Sequence, residues 1–249
     1  MAQKVKILAI DTATDFLSAA LFRDERIVAE KTAFVPRRHS ALLPQFVDDV
    51  LRTAGEKFSG EIVLAISIGP GSYTGLRVGT SFVQGLCAAA GNRVVAVDTL
   101  MALAFRLAPS PVPVLVALDA RAGGIYAGIF NVQGTPIPVV ESGVFTPEQL
   151  HKIASFRGRL TFVGDRKLFE PISKNTAATE LIFAGEPVPS AGAVAALAYK
   201  KVLTGEFIPP ENLEPHYLRE FVPGRSKRKI FGQPDSALSV EKGEQNSIA

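Results

Sequence analysis

The sequence predicts an α/β protein built on mixed sheets in two halves, and three observations carry that prediction. Three short strand-like runs joined by polar turns open the chain, over residues 4–34. A strand, a helix and another strand follow over 62–98, the order of a right-handed crossover unit. After a proline-rich stretch at 108–113, an apolar run ending in Asp119 repeats the one ending in Asp11, so the two halves begin alike. With 249 residues, 47% of them apolar and 20% charged, the chain can bury a sizeable core and is not disordered throughout.

Residues 4–11 (KVKILAID), 16–22 (FLSAALF) and 26–34 (RIVAEKTAF) supply the three opening strands, an antiparallel meander. The first helix is expected to start at a capping Ser40. Leu42, Leu43, Phe46, Val47, Val50, Leu51 and Ala54 recur at helical spacing, with Pro44 in the first turn and Gly55 as the stop. Residues 62–68 (IVLAISI) are almost continuously apolar, the mark of a strand buried on both faces. A helix then runs to about Ala90, followed by a strand at 93–98 and a short helix at 99–107. The prolines of 108–113 (APSPVP) set a boundary between domains 1–107 and 108–222. Beyond it, strands are expected at 112–119, 125–131, 137–144 and 160–164, and helices at 147–156 and 190–203. From Pro223 the chain turns basic and then polar without a buried pattern, so 223–249 is expected to be a disordered tail.

Charge and rare residues exclude several function classes. The net charge is +3, and 223–249 holds five cations against three anions, which leaves the body at +1. Such a body is no nucleic-acid-coating domain. Cys87 is alone, which rules out an internal disulfide and a cysteine zinc cluster. His39, His151 and His216 lie far apart, with no HxxxH or HExxH spacing for a metal. No apolar run approaches the roughly 18–20 residues needed to span a bilayer. The apolar stretch at the N-terminus is too short for a signal peptide. A soluble, cytoplasmic protein is expected, without membrane contact.

Gly69-Pro-Gly-Ser-Tyr-Thr-Gly75, running on through Leu76, Arg77 and Val78 to Gly79, is the most unusual segment. Glycines before a helix let backbone N–H groups approach an anion, which makes Asp11, Gly69, Gly71 and Ser72 candidates for a cofactor contact. The spacing departs from the known fingerprints: Gly75 precedes Leu76 and Arg77 rather than GK[ST], and Gly69, Gly71 and Gly75 give GxGxxxG rather than GxGxxG. A tight turn with close packing is the favoured reading. In 74–90 only Thr74, Arg77, Thr80, Ser81 and Gln84 are polar, so this helix is expected to be covered on more than one side. Gly75 and Gly79 each cost about 1 kcal/mol relative to Ala in a helix interior, a cost that makes sense where another backbone comes close. The cover is either the rest of the same domain or a partner protein. No nucleophile–base pair stands out, because Ser72 lacks a GxSxG elbow and no histidine has a spacing clue. The cluster Arg225–Lys229 fits a solvated tail better than an RNA contact.

IDTAT at 10–14, RHSALLP at 38–44, SIGPGSYTGLRVG at 67–79, LDAR at 118–121, VGDR at 163–166 and PHYLR at 215–219 resemble the TsaB (YeaZ) family, in order over about residues 4–220. These are bacterial tRNA threonylcarbamoyladenosine biosynthesis proteins. The resemblance implies an actin-like (ribonuclease-H-like, ASKHA) fold of two α/β subdomains with mixed sheets. It also implies a non-catalytic role in attaching a threonylcarbamoyl group to the adenosine beside the anticodon of tRNAs reading codons that begin with A. The transfer from threonylcarbamoyl-AMP then belongs to a TsaD-like paralogue carrying a metal-binding HxxxH. A TsaE-like ATPase joins the pair, ATP is used by these partners, and tRNA is met through the complex. Within the actin-like fold, strand-end carboxylates such as Asp11 and Asp119 are followed by a glycine turn that touches phosphate. Here Thr12, Ala13 and Thr14 follow the first, and Ala120 and Arg121 the second, so the phosphate grip is weakened and turn capping is the expected role. The competing readings are an ATP-dependent kinase or ATPase of the same fold and, weakest, a glycoprotease-like peptidase.

The helices at 40–54 and 74–90 are expected to form the partner surface through Leu42, Leu43, Phe46, Val50, Tyr73, Gly75, Leu76, Gly79, Phe82 and Val83. The same patch is expected to pair with itself in a homodimer when the protein is isolated. Deleting 224–249 should leave the melting temperature of the body unchanged, since the segment has no periodic apolar face to bury. A loss of several degrees on truncation would mean that the tail docks on the body.

Overall fold

The opening apolar runs form β1 (Lys6–Asp11), β2 (Phe16–Arg23) and β3 (Arg26–Phe34), paired antiparallel as a meander. Asp24 and Glu25 both take positive φ between the paired Arg23 and Arg26, the two-residue turn whose twist matches a hairpin. The computed structural model describes residues 5–121, 123–155, 158–175 and 179–218; the tail expected at 223–249 and its Arg225–Lys229 cluster lie outside them.

The crossover units add β4 (Val63–Ser67) and β5 (Val94–Val97), both parallel to β1, and complete a sheet of order β3-β2-β1-β4-β5. α1 (His39–Thr53) leads into β4, α2 (Tyr73–Ala90) links β4 to β5, and α3 (Thr99–Phe105) follows. The second half repeats the plan with β6 (Val114–Asp119), β7 (Ile125–Asn131), β8 (Ile137–Phe145), α4 (Pro147–Ala154), β9 (Gly158–Gly164), α5 (Arg166–Asn175) and β10 (Thr179–Gly185). Its sheet order, β8-β7-β6-β9-β10, is that of the first sheet position for position. This duplicated arrangement is the actin-like fold.

Strand alternation divides the first core into two layers. Leu8, Ile10, Leu64 and Ile66 face α1 and α2, while Ile7, Ala9, Val63 and Ala65 face α6 (Ala191–Thr204). The return of α6 to the first sheet departs from the expected boundary, which placed 190–203 with the second half. The helix's small residues explain it, because Ala191, Ala195 and Ala198 lie close against Ala9, Ala20 and Ala65. Its first turn is held by strand side chains: Ser18 Oγ accepts the Ala191 N–H at 2.9 Å, and Glu30 Oε1 accepts the Gly192 N–H at 3.1 Å and the Ser190 hydroxyl at 2.8 Å.

Two local expectations about α1 need correction. The helix starts before Ser40, with Arg38 at the cap position and no side-chain capping bond. The His39 ring anchors the start instead, its Nε2–H donating to the Phe16 carbonyl at 3.0 Å. Pro44 accordingly falls in the second turn, where it forfeits the bond to the Ser40 carbonyl. α5 and β10 were not anticipated: α5 carries Pro171 inside it, and its few apolar residues, such as Leu168, Phe169 and Ile172, are surrounded by charge. Among the described residues no helix is long and apolar enough to cross a membrane.

Candidate functional site

β1 delivers Asp11 to the end of the first sheet, where the carboxylate is 1% exposed. Its Oδ1 accepts the Ala13 N–H at 2.9 Å, an Asx turn that bends the chain toward β2. Burial raises the Asp11 pKa above the ordinary carboxylate value, against the Ala13 N–H, the neighbouring Ser67 hydroxyl and the His39 imidazole, which favour the charged form.

The loop after β4 closes over this turn. The Ser72 N–H donates to the Ala13 carbonyl at 2.7 Å, and Ser72 Oγ caps α2 by accepting the Gly75 N–H at 3.2 Å. A Cβ at Gly71 would collide with the Ala13 carbonyl, one at Gly75 with the Thr12 carbonyl, and one at Gly79 with Thr12 Oγ1. The Thr12 hydroxyl is buried against Gly79 with no hydrogen-bond partner among the described residues. Gly69 sits at φ +121°, with the His216 carbonyl over it, and its N–H donates to Thr99 Oγ1 at 3.1 Å. Asp11, Gly71 and Ser72 meet through the Ala13 backbone. Gly71, Ser72 and Gly75 lie on the chain's own β1–β2 turn, while Gly69 meets Thr99 and the His216 carbonyl.

The matching strand end of the second sheet is open. The Asp119 N–H donates to Asp165 Oδ2 at 2.7 Å, Asp119 Oδ1 accepts the Arg121 N–H, and Oδ2 pairs with Lys167. Partial burial works to raise the Asp119 pKa, but Lys167 and the Arg121 N–H outweigh it and hold the carboxyl below its usual range. Turn capping is thus its observed role.

Asp98 is a third strand-end carboxylate, partly buried. It stands at the end of β5, caps α3 by accepting the Met101 N–H at 2.8 Å, and takes the Ser142 hydroxyl of β8 at 3.1 Å, a tie between the two halves. Burial raises its pKa. The available signal was a third strand ending in aspartate, like those ending in Asp11 and Asp119. Among the described residues no group of three His, Cys, Asp or Glu side chains could hold a metal ion.

The expected helix surface is largely interior. Leu43, Phe46, Val50, Leu76 and Val83 are at most 4% exposed, and Gly75 and Gly79 are buried as well. The reason is geometric: α1 packs on β2 and β3 below and on α2 beside it, so its wide apolar stripe is used within the chain. Gly75 and Gly79 admit Thr12 of the same chain rather than a partner. Of the expected interface, Leu42, Tyr73 and Phe82 keep partial exposure. The open face of α2 carries Thr74, Arg77, Ser81, Gly85, Ala88 and Ala89, which are small or polar rather than strongly apolar.

Comparison with known proteins places this architecture. Residues 17–206 match the family model described as TsaD: tRNA N6-adenosine threonylcarbamoyltransferase. The chain is 31% identical over 223 residues to the tRNA threonylcarbamoyladenosine biosynthesis protein TsaB of Escherichia coli K12, an alignment spanning 88% of this chain and 96% of that one. The chain belongs to the TsaB family. A solved YeaZ of Pseudomonas aeruginosa superposes at a TM-score of 0.72 with 27% identity, over 86% of this chain and all of the other. A tRNA N6-adenosine threonylcarbamoyltransferase of Moorella thermoacetica is 28% identical over 157 residues, 56% of this chain and 40% of that protein. The chain thus matches both TsaB-family proteins and part of a transferase in sequence.

Two substitutions test the packing at the strand end. Gly79→Ala should lower the melting temperature by several degrees, since forcing atoms into a filled site costs about 1–3 kcal/mol. Adding Thr12→Ala should restore most of that loss, because the remaining close neighbour is the end of the Ile66 side chain, 3.1 Å from the new methyl. The same Thr12→Ala should fail to rescue Gly75→Ala, whose methyl meets the Thr12 backbone carbonyl. Thermal melts of the four variants and of Thr12→Ala alone decide this.

Asp11→Asn keeps the acceptor for the Ala13 N–H and removes a buried charge. Because the folded pKa is raised, the folded state holds its proton more tightly than the unfolded one, and wild-type stability falls as pH rises through that raised value. The Asn variant should therefore melt at or above the wild-type temperature at about pH 7, with the gap narrowing toward about pH 4. Melting well below wild type at neutral pH would show that the fold requires the charge.

Proposed function

We propose that this chain is a non-catalytic subunit of tRNA threonylcarbamoyladenosine biosynthesis. It binds and supports a TsaD-like subunit, which transfers the threonylcarbamoyl group from threonylcarbamoyl-AMP to the adenosine next to the anticodon. The observation that carries this reading is the sealed strand end. Asp11, placed where the actin-like fold brings a carboxylate to phosphate, is covered by the chain's own α2 and capped by its own backbone. A group that neither solvent nor substrate reaches has no part in transfer. Catalysis by the paralogous subunit, with a TsaE-like ATPase using ATP beside it, agrees with that closure. In this reading the complex works in the cytoplasm, and tRNA reaches this chain as part of the complex.

The docking surface in this reading is the open face of α2, bordered by Leu42, Tyr73 and Phe82. Exposed Ser81, Gly85, Ala88 and Ala89 let a partner helix approach closely, and half-buried Val78 and Phe82 give it an apolar floor. In the isolated protein a second copy takes the partner's place and forms a homodimer.

Gly85 is suited to a test because a side chain there meets nothing within 4 Å. The double variant Gly85→Arg, Ala88→Glu should melt within a few degrees of wild type. It should bind the TsaD-like subunit at least about tenfold more weakly, and elute as a monomer. A folded variant that still dimerises and co-purifies with the transferase would move the interface elsewhere.

A further inference from the structure

The last described segment of the chain returns to the start of α2. After the turn at Pro210–Asn212, Gln84 Nε2 donates to the Pro210 and Leu213 carbonyls, and the His216 N–H donates to the Ile68 carbonyl at 2.7 Å. These bonds set Tyr217 on Tyr73, with ring centroids 4.9 Å apart and planes at 29°. One turn along α2, the Arg77 guanidinium lies 5.0 Å from the Tyr73 ring centroid, and its Nη1 donates to the Tyr73 hydroxyl at 2.8 Å. The assembly is held at the surface: Tyr217 is 41% exposed, and Arg77 and His216 are exposed beside it. Glu214 is the acidic group close enough to act on Tyr217.

We propose that Tyr217, braced by Tyr73 and Arg77, is a stacking platform for an unpaired base of RNA. An exposed ring whose orientation is fixed from behind offers a face to a base without further ordering, and base–aromatic stacking tolerates any base. A guanidinium beside the rings adds charge for the backbone that carries the base. Residues 219–229 contain five cations against the single anion Glu220; on their own they fit a solvated tail, but next in sequence to an exposed ring and a guanidinium they favour a polyanion over a protein as the occupant. The inference rests on the assignment to tRNA modification and goes beyond it, by giving this chain a direct RNA contact of its own.

The test uses the full-length chain, a labelled transcript of a tRNA that reads codons beginning with A, and a blunt RNA duplex of similar length. Binding is followed by anisotropy across a salt series, beside thermal melts and co-purification with the TsaD-like subunit. Tyr217→Ala should weaken tRNA binding about fivefold or more, with the salt slope and the duplex affinity unchanged, while Tyr217→Phe keeps wild-type affinity. Unchanged tRNA affinity in Tyr217→Ala would overturn the proposal. So would a loss matched by a fall in melting temperature, which would make the ring a structural clamp, or a loss confined to the transferase, which would make it a protein contact. Failure with co-purification intact leaves the accessory-subunit reading standing, whereas loss of partner binding in the Gly85→Arg, Ala88→Glu variant speaks to that reading alone.

Discussion

The carbonyl and hydroxyl oxygens of Thr12 occupy the space that side chains at positions 75 and 79 would fill, and the Ala13 carbonyl does the same at position 71. This contact fixes how near α2 lies to the end of β1. Nearness in turn places the Ser72 N–H on the Ala13 carbonyl and buries Asp11 beneath the first turn of the helix. It also sets the floor on which α1 packs, because Val83 and Cys87 of α2 share one core with Leu43, Phe46 and Val50 of α1. A helix displaced outward by one methyl group would loosen all of these together, since interiors packed to crystal density have no slack to absorb it.

The two sheets share one topology and differ in what their strand ends do. In the first, a buried carboxylate is satisfied by its own turn and covered by its own helix. In the second, Asp119 is exposed and its charge is met by Lys167, an arrangement that stabilises only modestly at a surface. Both sheets carry helices on both faces: α4 and α5 on one side of the second and α3 on the other, and α6, returning at a point fixed by Glu30, on the free face of the first.

Most of the strand and helix order was legible in the sequence, because apolar runs such as IVLAISI and the spacing of Leu43, Phe46, Val47 and Val50 report burial directly. α5 and β10 escaped notice because Pro171 and a high charge content mask the amphipathic pattern of α5, while β10 carries only partial alternation. The destination of α6 was hidden for another reason. An Ala-rich helix fits any sheet of small residues, and its sequence does not say which one. At the candidate site, the sequence singles out Asp11, Gly69, Gly71 and Ser72, but which atoms their backbones approach depends on a tertiary contact. In the sequence Asp98 is only the end of a strand, and only the fold shows Ser142 of the other sheet on its carboxylate.

Glycines one turn apart in a helix signal that something comes close, without saying from which side. Gly75 and Gly79 pointed to a partner in the sequence, and the structure assigns their free space to Thr12 of the same chain. The distinction decides what the surface can be. Once positions 75, 76, 79, 80, 83 and 87 of α2 face inward, the outward face is left with 74, 77, 81, 85, 88 and 89, and the residues there are small or polar. A face of that kind does not drive association by apolar area. It permits a close approach, and the affinity must come from larger groups at its margins, where Tyr73, Phe82 and Leu42 stand half-exposed. In the proposed docking, the first sheet thus acts at one remove: by drawing the apolar side of α2 into the core, it presents a narrow, shallow helix face whose shape, rather than its hydrophobicity, selects what can lie against it.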